Sequence, residues 1–211
     1  MIAATVALVC LVSYLIGSVP AGYVAGLIAG VDIREHGSGN IGATNVLRTL
    51  GKKFGYPVFA FDVLKGFLAV VAARWIAHLF GDARHDEWFR ILGAVCGVLG
   101  HSYPVWLAFK GGKGVATSAG ILLALVPIAA VVAASIWTLV FLVTRYVSIA
   151  SIAAAITLPI AVEVVIRIMH SPERLPLYLS IVLSLVVLIR HRSNFSRLMR
   201  GTEQRFTRSE D

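Results

Sequence analysis

From position 115 to position 144 the chain runs for 30 residues without a charged side chain, and apolar stretches of similar character recur along its 211 residues. A helix needs about 20 apolar residues to cross the hydrocarbon core of a bilayer. Several of these stretches meet that length, which leaves little choice of fold. The expectation is an all-α, polytopic integral membrane protein forming a single domain over 1–211. Composition agrees: 58% of residues are hydrophobic and only 14% are charged, a balance unlike that of a soluble domain.

Apolar segments lie at 2–29, 54–80, 91–107, 115–144, 147–168 and 177–189. The first is too long for a removed leader and continues without a small-residue cleavage site, so it reads as a retained span. The loop at 31–53 carries Arg34, Arg48, Lys52 and Lys53, whereas the one at 81–90 sets Asp82, Asp86 and Glu87 against Arg84 and Arg90. Cytoplasmic loops collect Lys and Arg, which puts 31–53 inside, 81–90 outside and the N-terminus outside. Six arginines from Arg190 to Arg208 make the C-terminus cytoplasmic. With both ends of 115–189 inside, that stretch needs an even number of crossings. Proline removes an amide donor and kinks or breaks a helix, so a break at Pro127 gives four crossings there and seven transmembrane helices in all. Re-entry of one block gives five as the alternative.

The net charge of +8 invites a nucleic-acid reading. The basic residues lie beside apolar runs, however, where membrane topology and anionic headgroups account for them. Cys10 and Cys96 are far apart, in apolar segments and without a CxxC or a histidine partner. They imply neither a disulfide nor a metal site.

Two glycine-rich loops carry the chemistry. Residues 37–45 alternate small residues with Ser38, Asn40, Thr44 and Asn45, and Arg48 follows. Such a segment brings backbone amides close to a ligand, and an arginine can fork onto a phosphate. It is not the dinucleotide GxGxxG, which needs a strand before it. The second loop holds His101, Lys110, Gly112, Lys113 and Thr117. Its GGKGVAT misses the GxxxxGK[ST] spacing, which disfavours nucleotide hydrolysis, and leaves a glycine turn opening a helix whose amides favour an anion. Within the second span, Asp62 and Lys65 are three apart and can pair on one helix face. A structural pair and a substrate contact both fit, and Lys65 joins the candidate binding residues. Glu163 and Arg167 read as an i,i+4 pair. In the tail, His191, Asn194 and Arg197 can share a face.

Taken in order, SGNIGATNVLR, DVLKG, GHSYPVWLAFKGGKGVAT and HRSNFSRLMRGTE closely resemble the bacterial acyl-phosphate:glycerol-3-phosphate acyltransferase family (PlsY type), over essentially the whole chain. The resemblance implies transfer of a fatty acyl group from acyl phosphate to glycerol 3-phosphate, giving 1-acyl-glycerol 3-phosphate for phospholipid synthesis. It also implies a seven-span fold in the inner membrane, an active site on the cytoplasmic side, and no cofactor, metal or nucleotide. The expected partners are the two substrates and membrane lipid, with no nucleic acid and no obligatory protein partner. By the same resemblance, Ser38, Asn40, Thr44, Asn45 and Arg48 bind phosphate from the first loop. His101, Gly112, Lys113 and Thr117 supply a second grip, and His191, Asn194 and Arg197 close over glycerol 3-phosphate.

Ser38, His101 and His191 are the candidate catalytic residues. The His–Asp signature of soluble-domain glycerolipid acyltransferases is missing, since none of the residues five positions beyond the six histidines is aspartate. An acyl phosphate is already activated, so positioning and charge stabilisation carry much of the acceleration. His101 or His191 is suited by its pKa to act as base, and the substrate phosphate is a rival. Direct transfer is favoured over an acyl-Ser38 intermediate. A transporter of phosphorylated metabolites is the competing class. It would show internal repeats and midplane binding, whereas here no repeat is visible and the motifs fall on one side.

Overall fold

The computed structural model describes residues 2–81 and 83–206, and among them every regular element is helical. Asp82 and Arg208, used above in the topology argument, lie outside the described residues. Ten α-helices follow in order: α1 (Ile2–Ser18), α2 (Ala21–Ile28), α3 (Ala43–Leu50), α4 (Lys52–Leu79), α5 (Asp86–Ser102), α6 (Val115–Leu125), α7 (Pro127–Thr144), α8 (Val147–Ile168), α9 (Leu175–Arg190) and α10 (Arg192–Met199).

Helices are what apolar surroundings require, because each backbone amide then finds its partner inside the segment. The outer surface has the matching character: Trp75, Leu139, Val143 and Ile160 are all exposed. By length and composition, four segments can cross a hydrocarbon core: α1 with α2 (Ile2–Ile28), α4, α7 and α8. The pair α9–α10, bent by 50°, makes a fifth.

Several boundaries differ from the sequence reading, each for a local reason. The first apolar segment is not one helix, because Pro20 interrupts it between α1 and α2. The 31–53 loop contains a helix of its own, α3. The third segment starts at Asp86 rather than 91, since Asp86 and Glu87 fill its first turn, where acidic side chains complement the helix dipole. It stops at Ser102 because Pro104 follows shortly after, and a proline disfavours helical backbone in the residue before it. The expected break at Pro127 is present, with α6 ending at Leu125 and Pro127 in the first turn of α7.

The chain forms two compact units, the first up to Leu125 and the second from Val126 on. In the first, α1, α4 and α5 pack through small residues. A Cβ on Gly17 would overlap the backbone of Gly97, and one on Gly93 would overlap Ala73. Small residues in this spacing let helix backbones approach closely in lipid. Ser13 Oγ donates to the Ala69 carbonyl at 3.0 Å, and Cys10 of α1 and Cys96 of α5 are free thiols. Val9, Ala73, Ile76, Ala77 and Phe89 form the core beneath.

In the second unit α8 packs against both α7 and α9. Trp137 Nε1 donates to Ser151 Oγ at 3.1 Å, and Ser184 Oγ to the Ala155 carbonyl at 2.6 Å. Glu163 pairs with Arg167, as its i,i+4 spacing suggests, and also with Arg174 at 2.7 Å.

Candidate active site

The first loop folds around one buried amide. Asn45, in the first turn of α3, is 2% exposed. Its Oδ1 accepts from the Ser38 N–H at 2.8 Å, and its Nδ2 donates to the carbonyls of Ile33 and His36 at 3.2 and 3.0 Å. Gly37 and Gly39 take left-handed φ of +59° and +69°, which lets the chain wrap this tightly. Asn40 Oδ1 accepts from the Gly42 N–H at 2.8 Å, an Asx turn leading into α3. Upstream, hydrogen bonds from Arg34 pull the Asp32 carboxyl down to about 2. The loop therefore exposes Ser38, with Thr44 and Arg48 half-buried beside it. Asn45, counted above among the binding residues, uses its amide to build the loop.

The second loop is fastened to the end of α5. Ala108 and Phe109 both hold left-handed φ, 48° and 62°, a strain of about 1–2 kcal/mol each that surrounding structure must impose. The amides of Gly111 and Gly112 donate back to the carbonyls of Ser102 and His101 at 3.2 and 3.1 Å. A Cβ at Gly112 would overlap His101 Nε2, so a glycine is needed for the backbone to lie on the imidazole edge. Lys113, half-buried, precedes α6, whose first turn holds the fully buried Thr117. The hydroxyls of Ser102, Thr117 and Ser118 are buried without a hydrogen-bond partner among the described residues. A helix N-terminus, a lysine and hydroxyl donors together favour a bound anion.

Both loops rest on the same foundation. Leu107 of the second shares an apolar cluster with Ile33, Ile41 and Val46 of the first, and with Val58 of α4. Trp106 Nε1 donates to Ser18 Oγ at 2.9 Å, and Tyr14 Oη to the Tyr103 carbonyl at 2.8 Å, tethering the second loop to the end of α1.

Behind His101 lies a buried charge cluster. Lys65 Nζ is 2.7 Å from Asp62 Oδ1 and donates to the Val19 carbonyl at 2.8 Å. His101 Nδ1 stands 3.6 Å from the same Asp62 oxygen. All three side chains are 3–4% exposed. Lys65, also counted above as a binding residue, is engaged by α4 and by the α1–α2 break.

The second unit has its own polar group. His191 closes α9 and opens α10, buried, with Nδ1 at 2.8 Å from the Val187 carbonyl. A carbonyl only accepts, so that nitrogen carries a proton. Glu203 folds back on α10, accepting from Asn194 Nδ2 and Arg197 Nε, both at 2.7 Å. Burial acts to raise the Glu203 carboxyl, but these hydrogen bonds outweigh it and hold the group below the usual carboxylate range. Asn194 and Arg197 are thus brought together by a residue to which the sequence reading gave no role.

The family model described as glycerol-3-phosphate acyltransferase matches residues 7–201. The chain belongs to the glycerol-3-phosphate acyltransferase family. Among curated relatives, the glycerol-3-phosphate acyltransferase of Synechococcus elongatus is 48% identical over 204 residues, covering 95% of this chain and 94% of the relative. That of Aquifex aeolicus is 43% identical over 195 residues, covering 92% and 95%. The crystal structure of PlsY (YgiH), an integral membrane glycerol 3-phosphate acyltransferase in its glycerol 3-phosphate form, superposes with a TM-score of 0.84. It shares 41% identity, with 96% of each chain covered. A second PlsY structure, the lysophosphatidic acid form, gives 0.82 at the same identity, with 96% of this chain and 95% of that one covered. This member of the family is accordingly an integral membrane acyltransferase.

One contact and one residue of consequence escaped the sequence reading. Asp62 was visible as an ionisable group inside an apolar span, but its neighbour His101 was not, because a different helix supplies it. Glu203 is the lone acid of the described tail, Arg190 to Phe206, and that isolation was its signal.

Proposed function

We propose that this protein transfers a fatty acyl group from an acyl phosphate to glycerol 3-phosphate, giving 1-acyl-sn-glycerol 3-phosphate and inorganic phosphate. A glycerol hydroxyl oxygen forms the new ester bond at the acyl carbon, the carbon–oxygen bond to phosphate breaks, and phosphate departs with that electron pair. The hydroxyl proton passes to a base: His101, His191 or a phosphate oxygen of a substrate. The observation that carries this reading is the pair of basic, glycine-rich loops seated on one apolar cluster, with a buried imidazole lying against the second.

In the first unit, Ser38, Thr44 and Arg48 are assigned to one phosphate, with Asn40 shaping the turn that presents them. Lys113, Gly112, Thr117 and His101 are assigned to the other. In the second unit, His191, Asn194 and Arg197 are assigned to glycerol 3-phosphate. Phosphate is a good leaving group, so orientation and charge stabilisation supply most of the catalysis, and no cofactor or metal is assigned. The proposed setting is the inner membrane, with seven spans, the N-terminus outside and the active site facing the cytoplasm, where glycerol 3-phosphate dissolves. The acyl chain stays in hydrocarbon.

The test is acyl transfer by the purified protein in lipid, with palmitoyl phosphate, labelled glycerol 3-phosphate and a metal chelator, beside an Arg48→Ala control. Labelled lysophosphatidic acid formed only by the unaltered protein is the expected result. Uptake of glycerol 3-phosphate into sealed vesicles without product would overturn it in favour of transport.

A further inference from the structure

Burying an aspartate, a lysine and a histidine together in an apolar fold is costly unless each charge is matched. Here the matching is specific. Asp62 Oδ1 sits 2.7 Å from Lys65 Nζ and 3.6 Å from His101 Nδ1, and Lys65 is fixed from its far side by the Val19 carbonyl at 2.8 Å. The opposite edge of the imidazole meets the Gly112 backbone, which leaves no room for a Cβ beside Nε2. The ring is thus placed with one nitrogen toward a carboxylate and the other toward the turn that holds Lys113.

We propose that Asp62 is a positioning residue for the acyl transfer assigned above: anchored by Lys65, it keeps the His101 proton on Nδ1 and directs Nε2 at the Gly112–Lys113 turn assigned to phosphate. A carboxylate accepts but cannot donate, so it favours the tautomer with Nδ1–H directed at it, and it stabilises the imidazolium should Nε2 take up a proton. Lys65 serves in this by supplying the countercharge, and its ammonium makes no substrate contact. The inference rests on His101 being a residue of the proposed site.

The test joins a spectrum to kinetics, on the full-length protein in lipid with 15N-labelled histidine. His101 is assigned by the signal lost in His101→Gln. The unaltered protein is expected to show His101 protonated at Nδ1. Asp62→Asn should shift the ring toward the Nε2–H form and lower kcat by roughly 10²- to 10⁴-fold, the scale seen when an orienting carboxylate is neutralised. KM for glycerol 3-phosphate should change less than about threefold, as when an interaction made only in the transition state is lost. Asp62→Glu should recover the Nδ1–H form and part of kcat. If Asp62→Asn does not fold with Lys65 unpaired, Asp62→Leu/Lys65→Met removes both charges and should show the same loss of the Nδ1–H form.

An unchanged tautomer in these variants overturns the proposal, whether or not kcat falls. A shifted tautomer with kcat unchanged overturns it as well. If the unaltered protein acylates nothing, the functional reading fails separately. The spectrum still decides whether Asp62 sets the His101 tautomer.

Discussion

Lys65→Met removes the cation from the buried pair while keeping an unbranched side chain of similar length. Asp62 then remains as a carboxylate with 3% of its surface exposed and no ammonium at 2.7 Å. Breaking a buried pair from one side costs about 3–5 kcal/mol, because the surviving charge is left uncompensated. The Val19 carbonyl loses a charged donor too, but it still accepts from the Ala21 N–H at 3.1 Å, so this adds little. Taking 3–5 kcal/mol alone, the ratio of folded to unfolded protein should fall roughly a hundred- to several-thousand-fold.

The measurement is thermal or denaturant unfolding in detergent, beside the double variant Asp62→Leu/Lys65→Met. Replacing a whole buried pair by apolar residues of similar volume is often neutral or stabilising, so the double variant should recover most of the loss. In the same preparations, KM for glycerol 3-phosphate should stay within about threefold of the unaltered protein, since loss of uniform substrate binding would appear in KM. A Lys65→Met protein of unchanged stability with KM raised tenfold or more would refute the reasoning. It would return Lys65 to the substrate.

Three further outcomes follow from the geometry. Gly112→Ala places a Cβ on His101 Nε2 and should reduce kcat/KM at least about a hundredfold, as misplaced groups do; activity within threefold would show that the imidazole edge is not used. Asn45→Ala removes three hydrogen bonds that fold the first loop and should cost about 2–4 kcal/mol at ~1 kcal/mol or slightly more each, read by unfolding and by faster exchange of the Ser38 amide. Glu203 contributes stability that is complete above its unfolded value near 4.5 and is lost as pH falls through its lower folded value. Acid destabilisation of the second unit should therefore steepen as pH falls from about 4.5 toward that lower folded value and level off beneath it, and Glu203→Gln should flatten it.

The parts of the fold that could be read in advance are those where one physical demand dominates. Segments near 54–80 and 147–168 are apolar over a bilayer's thickness, and α4 and α8 fall within two residues of them. Misreadings cluster where polar residues belong to a helix. Asp86, Glu87 and Arg90 looked like loop because they are charged, yet the acids suit the helix start, and Arg90 Nη2 reaches the Ala124 carbonyl at 3.0 Å. At the candidate site, residue types were legible and roles were not. Ser38 and Asn45 belong to the same polar run, but one faces outward and the other is enclosed. That difference depends on where Ile33 and His36 point their carbonyls, which composition does not encode.

The α1–α2 break ties these observations together. Pro20 stops α1 and leaves the Val19 carbonyl exposed to capture by a side chain from elsewhere. Lys65 on α4 takes it, and in doing so is held beside Asp62. An apolar trio at 62, 65 and 101 would stabilise the same helices at least as well, so packing alone gives no reason for charges there. Their arrangement does give one: a proline break fixes a lysine, the lysine holds a carboxylate, and the carboxylate faces the ring that meets the second loop. Packed helices thereby set the orientation of a single buried imidazole beside the second loop. That is the order of dependence expected if a scaffold made for lipid is to position a group for a phosphorylated, water-soluble substrate.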